Sequence, residues 1–153
     1  MIASKKDIVN SDIPNASELQ TLSKEFEDKS PQEVIDWAVQ TYGPRVAIST
    51  SFQAEGMVIL DMAYKIDPEV RVITIDTGRL PQETYDLIDK VRSYYELPID
   101  VYFPDTSELE EMVNLHGTNP FYRSVSLRLL CCGIRKVNPL NRALEDLDAW
   151  MTG

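Results

Sequence analysis

The chain is short of cysteine, histidine and positive charge. It has two cysteines and one histidine in 153 residues. Those cysteines, Cys131 and Cys132, are adjacent, so no disulfide framework can be built from them, and a reducing context is expected. Lys and Arg number 15 against 25 Asp and Glu, a net charge of −10. That balance argues against broad binding to nucleic acid or anionic membrane, which needs an extended positive face. No apolar run approaches the ~20 residues that span a bilayer. The start, Met1 to Asp7, carries no apolar core of the secretory type. Neither G-x-G-x-x-G nor G-x-x-x-x-G-K-[ST] occurs, so the common phosphate-loop fingerprints are missing. There are no internal repeats and no low-complexity tracts.

What is present is a chain long enough for one domain with a core, 43% hydrophobic. Residues 1–14 read as a mobile N-terminal arm and 15–153 as the domain. Asn15 to Asp28 has helical spacing at Leu19, Leu22 and Phe26. Ser30-Pro31-Gln32-Glu33 is a capping box with proline in the first turn, and Gly43-Pro44 ends the helix it opens. Val46-Ala47-Ile48 is a short buried strand that runs into hydroxyls. Met57 to Tyr64 is apolar on nearly all sides. Val70 to Ile75 is a second strand, Pro81 to about Tyr95 a helix, Ile99 to Phe103 a third strand, and about Glu108 to Leu115 another helix. Lys136 to Leu147 is helical in pattern despite Pro139, and Ala149 to Gly153 reads as a fourth strand. Alternating strands and helices predict an α/β fold: an open, mostly parallel sheet with right-handed crossovers and helices on both faces.

Three segments fall where such sheets bind ligands, beyond the carboxyl ends of the strands. Ser49 to Gly56 offers hydroxyls and a glycine at a helix start, suited to an oxyanion or equally to a plain strand-to-helix turn. Asp76-Thr77-Gly78-Arg79 offers an acceptor, a close-approach glycine and a guanidinium, or else a helix cap with a solvated arginine. The third is basic: Phe121 to Arg142 contains Arg123, Arg128, Arg135, Lys136 and Arg142 and no acid. Charged helix faces normally mix signs, so a bound anion is the favoured reason. Cys131 and Cys132 lie inside this window, where nearby cations favour thiolate and hence metal or cluster ligation. His116, before Gly117, reads as a helix-end residue.

Ile48-Ser49-Thr50-Ser51-Phe52-Gln53-Ala54-Glu55-Gly56, Ile75-Asp76-Thr77-Gly78-Arg79-Leu80-Pro81-Gln82-Glu83-Thr84-Tyr85 and Arg128-Leu129-Leu130-Cys131-Cys132-Gly133-Ile134-Arg135-Lys136 together resemble the assimilatory sulfonucleotide reductases. The first resembles their modified pyrophosphate loop, the second their other nucleotide motif and the third their cluster motif. The resemblance spans about residues 45 to 153. It implies an adenine-nucleotide α-hydrolase-like (PP-loop) fold and thioredoxin-dependent reduction of adenylyl sulfate to sulfite and AMP in a cytoplasmic setting. The double cysteine is similar to the branch that carries a [4Fe-4S] cluster and prefers adenylyl sulfate over its 3′-phosphorylated form. Carried over by position, Cys131 and Cys132 are expected cluster ligands, two of the four required. Lys136 is expected between cluster and substrate. Ser49, Ser51, Gly56, Asp76, Gly78, Arg79 and Arg135 are expected to bind substrate.

Family members continue past this point to a second cysteine pair and a C-terminal catalytic cysteine, whose thiolate attacks the substrate sulfur and forms a thiosulfonate. The expectation is therefore an N-terminal portion, truncated at its C-terminus, that does not turn over alone. Three other readings stay open. One is a catalytically inactive nucleotide-binding fragment. A second is half of a larger assembly, such as a homo-oligomer that pools cysteine pairs. The third is an ATP-cleaving relative, which the missing S-G-G-x-D-S loop disfavours.

Overall fold

The computed structural model describes residues 14–153, so the arm expected at 1–14 lies outside the described residues except for Pro14. The described chain forms a four-stranded parallel sheet in the order β3-β2-β1-β4. The strands are β1 (Val46–Ser49), β2 (Arg71–Ile75), β3 (Ile99–Tyr102) and β4 (Ala149–Met151). The helices are α1 (Ala16–Glu25), α2 (Pro31–Tyr42), α3 (Ala54–Ile66), α4 (Gln82–Tyr95), α5 (Thr106–His116), α6 (Val125–Cys132) and α7 (Asn138–Leu144).

Side-chain alternation along the strands sorts the helices onto two faces. Ile48 and Val72 point to one face, where they pack with Ile35 and Val39 of α2, Leu60 and Ala63 of α3, and Ile88 and Val91 of α4. Ala47 and Ile73 point to the other, against Ala143 of α7. The chain winds from β1 to β2 to β3 in one direction. It then returns through α5, α6 and α7 to place β4 on the far side of β1. The reversal makes the carboxyl ends of β1 and β4 the place where the connecting loops diverge and leave a crevice.

Most boundaries follow local chemistry. The Ser30 hydroxyl accepts from the Glu33 N–H, and the Glu33 carboxylate accepts from the Ser30 N–H at 2.9 Å. Gly43 then ends α2 at φ 51°, where a Cβ is disfavoured. Two helices start earlier than the apolar spacing predicts. Asp105 caps α5 by accepting from the N–H groups of Ser107 and Glu108, so α5 begins at Thr106. Ser124 accepts from the Leu127 N–H and starts α6 at Val125, well before the expected helix at Lys136. Helices α6 and α7 are joined by a widened turn over Gly133–Val137, in which the Asn138 N–H donates to the Gly133 carbonyl five residues back. Pro139 has no N–H to give the carbonyl four residues back, so an ordinary α-turn is already one bond short there.

Arg45, just before β1, grips Asp148, just before β4, through both carboxylate oxygens. This pair ties β4 to the sheet at its amino end. The Arg45 hydrogen bonds hold the Asp148 carboxyl below the usual carboxylate range. A depressed folded-state value gives stability that is present above the unfolded pKa of about 3.9 and lost as pH falls through the lower folded value. Asp148→Asn should therefore flatten the acid limb of a urea-unfolding series between about pH 5 and pH 2. An unchanged acid limb would show that the pair contributes nothing to it.

Candidate functional site

The crevice at the strand carboxyl ends holds a cavity of about 300 Å³. Ser49, Thr50, Ser51, Thr74, Thr77 and Lys136 form its polar wall, and Leu80, Leu140 and Trp150 its apolar one. The first two segments singled out in the sequence and Lys136 from the third thus meet at one place. The cavity is built by topology: β1, β2 and β4 end side by side, and the widened turn between α6 and α7 lies over them.

The loop after β1 is held tightly. The Thr50 N–H continues the β1–β2 ladder by donating to the Ile73 carbonyl. The Thr50 hydroxyl accepts from the Phe52 N–H at 2.9 Å. Phe52 sits at φ 61°, in the left-handed region, with its ring buried among Ile48, Leu60 and Ala63. That conformation is costly for a bulky residue and is held by the packing of the ring. Gly56 is buried in the first turn of α3, and a Cβ there would lie 2.3 Å from the Thr50 Oγ1. A glycine is what lets the helix start settle over the strand end. Gln53 precedes α3 and makes no side-chain cap, so the first-turn N–H groups keep their donor capacity. Of the sequence-predicted residues here, Ser49 is half-buried, Ser51 is exposed, and both line the cavity.

The loop after β2 is arranged differently. Asp76 is buried, and one oxygen of its carboxylate accepts from the Gly78 N–H at 2.7 Å and from the Tyr85 hydroxyl at 3.0 Å. Burial, then the adjacent Asp76 carboxylate, push the Tyr85 hydroxyl pKa up. Asp76 therefore closes its own turn, while Ile75 and Thr77 on either side of it line the cavity. Gly78 adopts φ 69°, and a Cβ there would stand 3.3 Å from a guanidinium nitrogen of Arg135. Arg79 turns away from the cavity wall: it donates to the Thr118 carbonyl and the Asn119 side chain and stacks over Phe121 at 4.8 Å. Tyr85 escaped the sequence reading because only the helix α4 register shows that it reaches Asp76.

The basic segment divides in two. Arg123 donates to the His116 carbonyl, Arg135 to the Thr77 carbonyl and Arg142 to the Phe103 carbonyl. Each ties the α6–α7 arm to the end of a strand or helix, so part of the positive charge is used on carbonyl oxygens. Arg128 and Lys136 are exposed and have no ion-pair or hydrogen-bond partner among the described residues. Arg135 is 8% exposed, has no carboxylate partner among the described residues, and leaves its Nε buried without an acceptor. A buried cation in that state lacks its compensating charge. Cys131 is buried, Cys132 is exposed, and both thiols are free at the end of α6.

Residues 45–153 match the phosphoadenosine phosphosulfate reductase domain family. The chain is 44% identical over 136 residues to the adenosine 5′-phosphosulfate reductase of Pseudomonas aeruginosa (strain LESB58), covering 89% of this chain and 50% of that protein. It is 39% identical over 142 residues to the chloroplastic 5′-adenylylsulfate reductase 3 of Arabidopsis thaliana, covering 93% of this chain and 30% of that one. Its fold superposes with a TM-score of 0.75 and 35% identity on the crystal structure of phosphoadenylyl-sulfate reductase from Candida auris in complex with phosphate, covering 91% of this chain and 68% of that one. The chain thus spans about half the length, or less, of these curated relatives.

Adding a methyl group at Gly56 should expose the contact under α3. Gly56→Ala is expected to destabilise the fold by roughly 1–3 kcal/mol through overpacking. Gly56→Ala with Thr50→Ala should recover part of that loss in a double-mutant cycle read by urea unfolding. Strict additivity would mean the two side chains do not meet.

Proposed function

The chain belongs to the phosphoadenosine phosphosulfate reductase family, and we propose that it forms the nucleotide-binding part of a thioredoxin-dependent adenylyl-sulfate reductase. The observation that carries this reading is Arg135, a buried guanidinium without an acid, fixed to the rim of the cavity that Lys136 lines. A bound sulfonucleotide would supply the missing negative charge. Hydroxyls of Ser49 and Ser51 and the start of α3, where Gly56 lies, would hold the anionic end. Leu80, Leu140 and Trp150 would offer apolar surface to the base. Asp76, Gly78 and Arg79 would act by shaping the loop opposite. Relatives named for adenosine phosphosulfate and a relative solved with phosphate support an anionic nucleotide as ligand.

In this reading a cysteine thiolate attacks the sulfur of adenylyl sulfate, the S–O bond to phosphate breaks, and AMP leaves with that electron pair. The resulting thiosulfonate is then cleaved by the two thiols of reduced thioredoxin. Sulfite is released, the enzyme thiolate is restored and thioredoxin becomes a disulfide. Lys136 would steady the negative charge on the sulfonate and phosphate oxygens. We assign Cys131 and Cys132 to a [4Fe-4S] cluster rather than to nucleophilic attack. The donor set fits in kind, because both thiols are free, consecutive and next to unpaired cations that favour thiolate. In number it is half of the four ligands such a cluster takes. A bound cluster would supply a charged, redox-tunable centre beside the substrate anion. A cytoplasmic setting suits free thiols; no helix among the described residues is long and apolar enough to cross a membrane.

Titration calorimetry tests the ligand. The protein should bind AMP and adenylyl sulfate. Lys136→Ala should weaken adenylyl sulfate about ten-fold with the melting temperature unchanged, since Lys136 is exposed and tied to nothing. Folded protein that ignores both nucleotides would leave the reading without support. Metal analysis with light scattering tests the cluster. After anaerobic reconstitution, iron and sulfide should appear where further thiolates come from elsewhere in the protein or from a second copy. Cys131→Ser or Cys132→Ser should abolish both; iron retained in either variant would remove that cysteine from the ligand set.

A further inference from the structure

We propose that Thr50 is itself a ligand-contact residue of this site, donating its hydroxyl proton to an oxyanion of the nucleotide while the same oxygen orients the loop. The inference rests on the nucleotide-binding reading and concerns a residue to which neither motif spacing nor family likeness gives a role. Thr50 is 6% exposed and lines the cavity. A hydroxyl has one proton to donate and two lone pairs. One lone pair takes the Phe52 N–H at 2.9 Å, and the proton has no acceptor among the described residues. A buried donor without an acceptor is costly, and the cavity it lines is where an acceptor can come from.

The surroundings fix where that donor points. The Phe52 N–H holds one side of the oxygen, and the first turn of α3 closes over another, leaving no room for a Cβ at Gly56. The ladder bond from the Thr50 N–H to Ile73 holds its backbone. The strained φ of 61° at Phe52 is kept by a ring buried in the core, so the loop does not relax when the cavity is empty. The uncapped start of α3 lies beside the hydroxyl and adds N–H donors of the same polarity. Glu55, in that first turn, is exposed, and Lys136 balances it from the opposite wall.

A purely structural threonine and a ligand-contact threonine differ in which ligands they affect. AMP carries the oxyanion and adenosine does not, so the ratio of their affinities isolates the contact. Calorimetry with both ligands on Thr50→Val, Thr50→Ala and Thr50→Ser decides it. Thr50→Val and Thr50→Ala should lose about ten-fold in AMP affinity and less than about two-fold for adenosine. Thr50→Ser, which keeps the hydroxyl, should stay within about two-fold of the parent for both. Should the valine variant fail to fold, the alanine and serine variants carry the same comparison. Equal losses for AMP and adenosine, or none, would overturn the contact while leaving the nucleotide site standing. A parent protein that binds neither ligand would overturn the site and the contact together.

Discussion

The tightest constraint in the molecule is the approach of α3 to the end of β1. The Thr50 side chain occupies the space that a Cβ on Gly56 would need, and its hydroxyl holds the Phe52 N–H. Phe52 then drives its ring into the core beside Leu60 and Ala63 of the same helix. Strand end, loop and helix start are therefore one packed unit. Its geometry places Ser49 and Ser51 at the cavity, and it leaves the α3 amides uncapped. A looser junction would move every donor on that wall. The neighbouring loop after β2 is fixed by other means: Asp76 binds Gly78 and Tyr85, and Arg135 reaches across to the Thr77 carbonyl.

The basic segment shows how one stretch can serve packing and chemistry together. A run of cations with no acid would repel itself in a single solvated helix. Here three of its arginines, Arg123, Arg135 and Arg142, are drawn off by carbonyl oxygens at the ends of α5, β2 and β3. Those oxygens carry partial negative charge and have lost helix or ladder partners, so the match satisfies both sides. What remains unpaired is Lys136 at the cavity, Arg128 on the outer face, and the buried Nε of Arg135. The widened turn before Pro139 carries Arg135 and Lys136 on consecutive residues, and it sends one inward and the other to the cavity.

Much of this was legible in the residues. Capping at Ser30, the breaks at Gly43 and Pro98, and the apolar strands at Val46, Val70 and Ile99 are local matters, and local chemistry decides them. The three motif segments were recognisable because each concentrates glycine, hydroxyls or like charge where an ordinary loop would not. The starts of α5 and α6 were harder, since Asp105 and Ser124 become caps only when the following N–H groups turn toward them. Tyr85 and Thr50 gave no local sign of their roles. Their hydrogen bonds join atoms whose separation depends on how a helix lies over a strand.

By itself, then, the sequence determined the alternation of strands and helices, the parallel sheet this implies, the family, and which residues carry chemistry. Those properties depend on periodicity, turn residues and composition, which act over a few positions. Only the tertiary structure decided that β4 crosses to the far side of β1 and opens the crevice between them. It alone turned Asp76 and Arg79 toward their own loops and left Lys136 facing the cavity. It also buried Arg135 without an acid and set Thr50 beneath Gly56. These outcomes follow from packing between segments far apart in the chain, where the position of one side chain is settled by the shape of another.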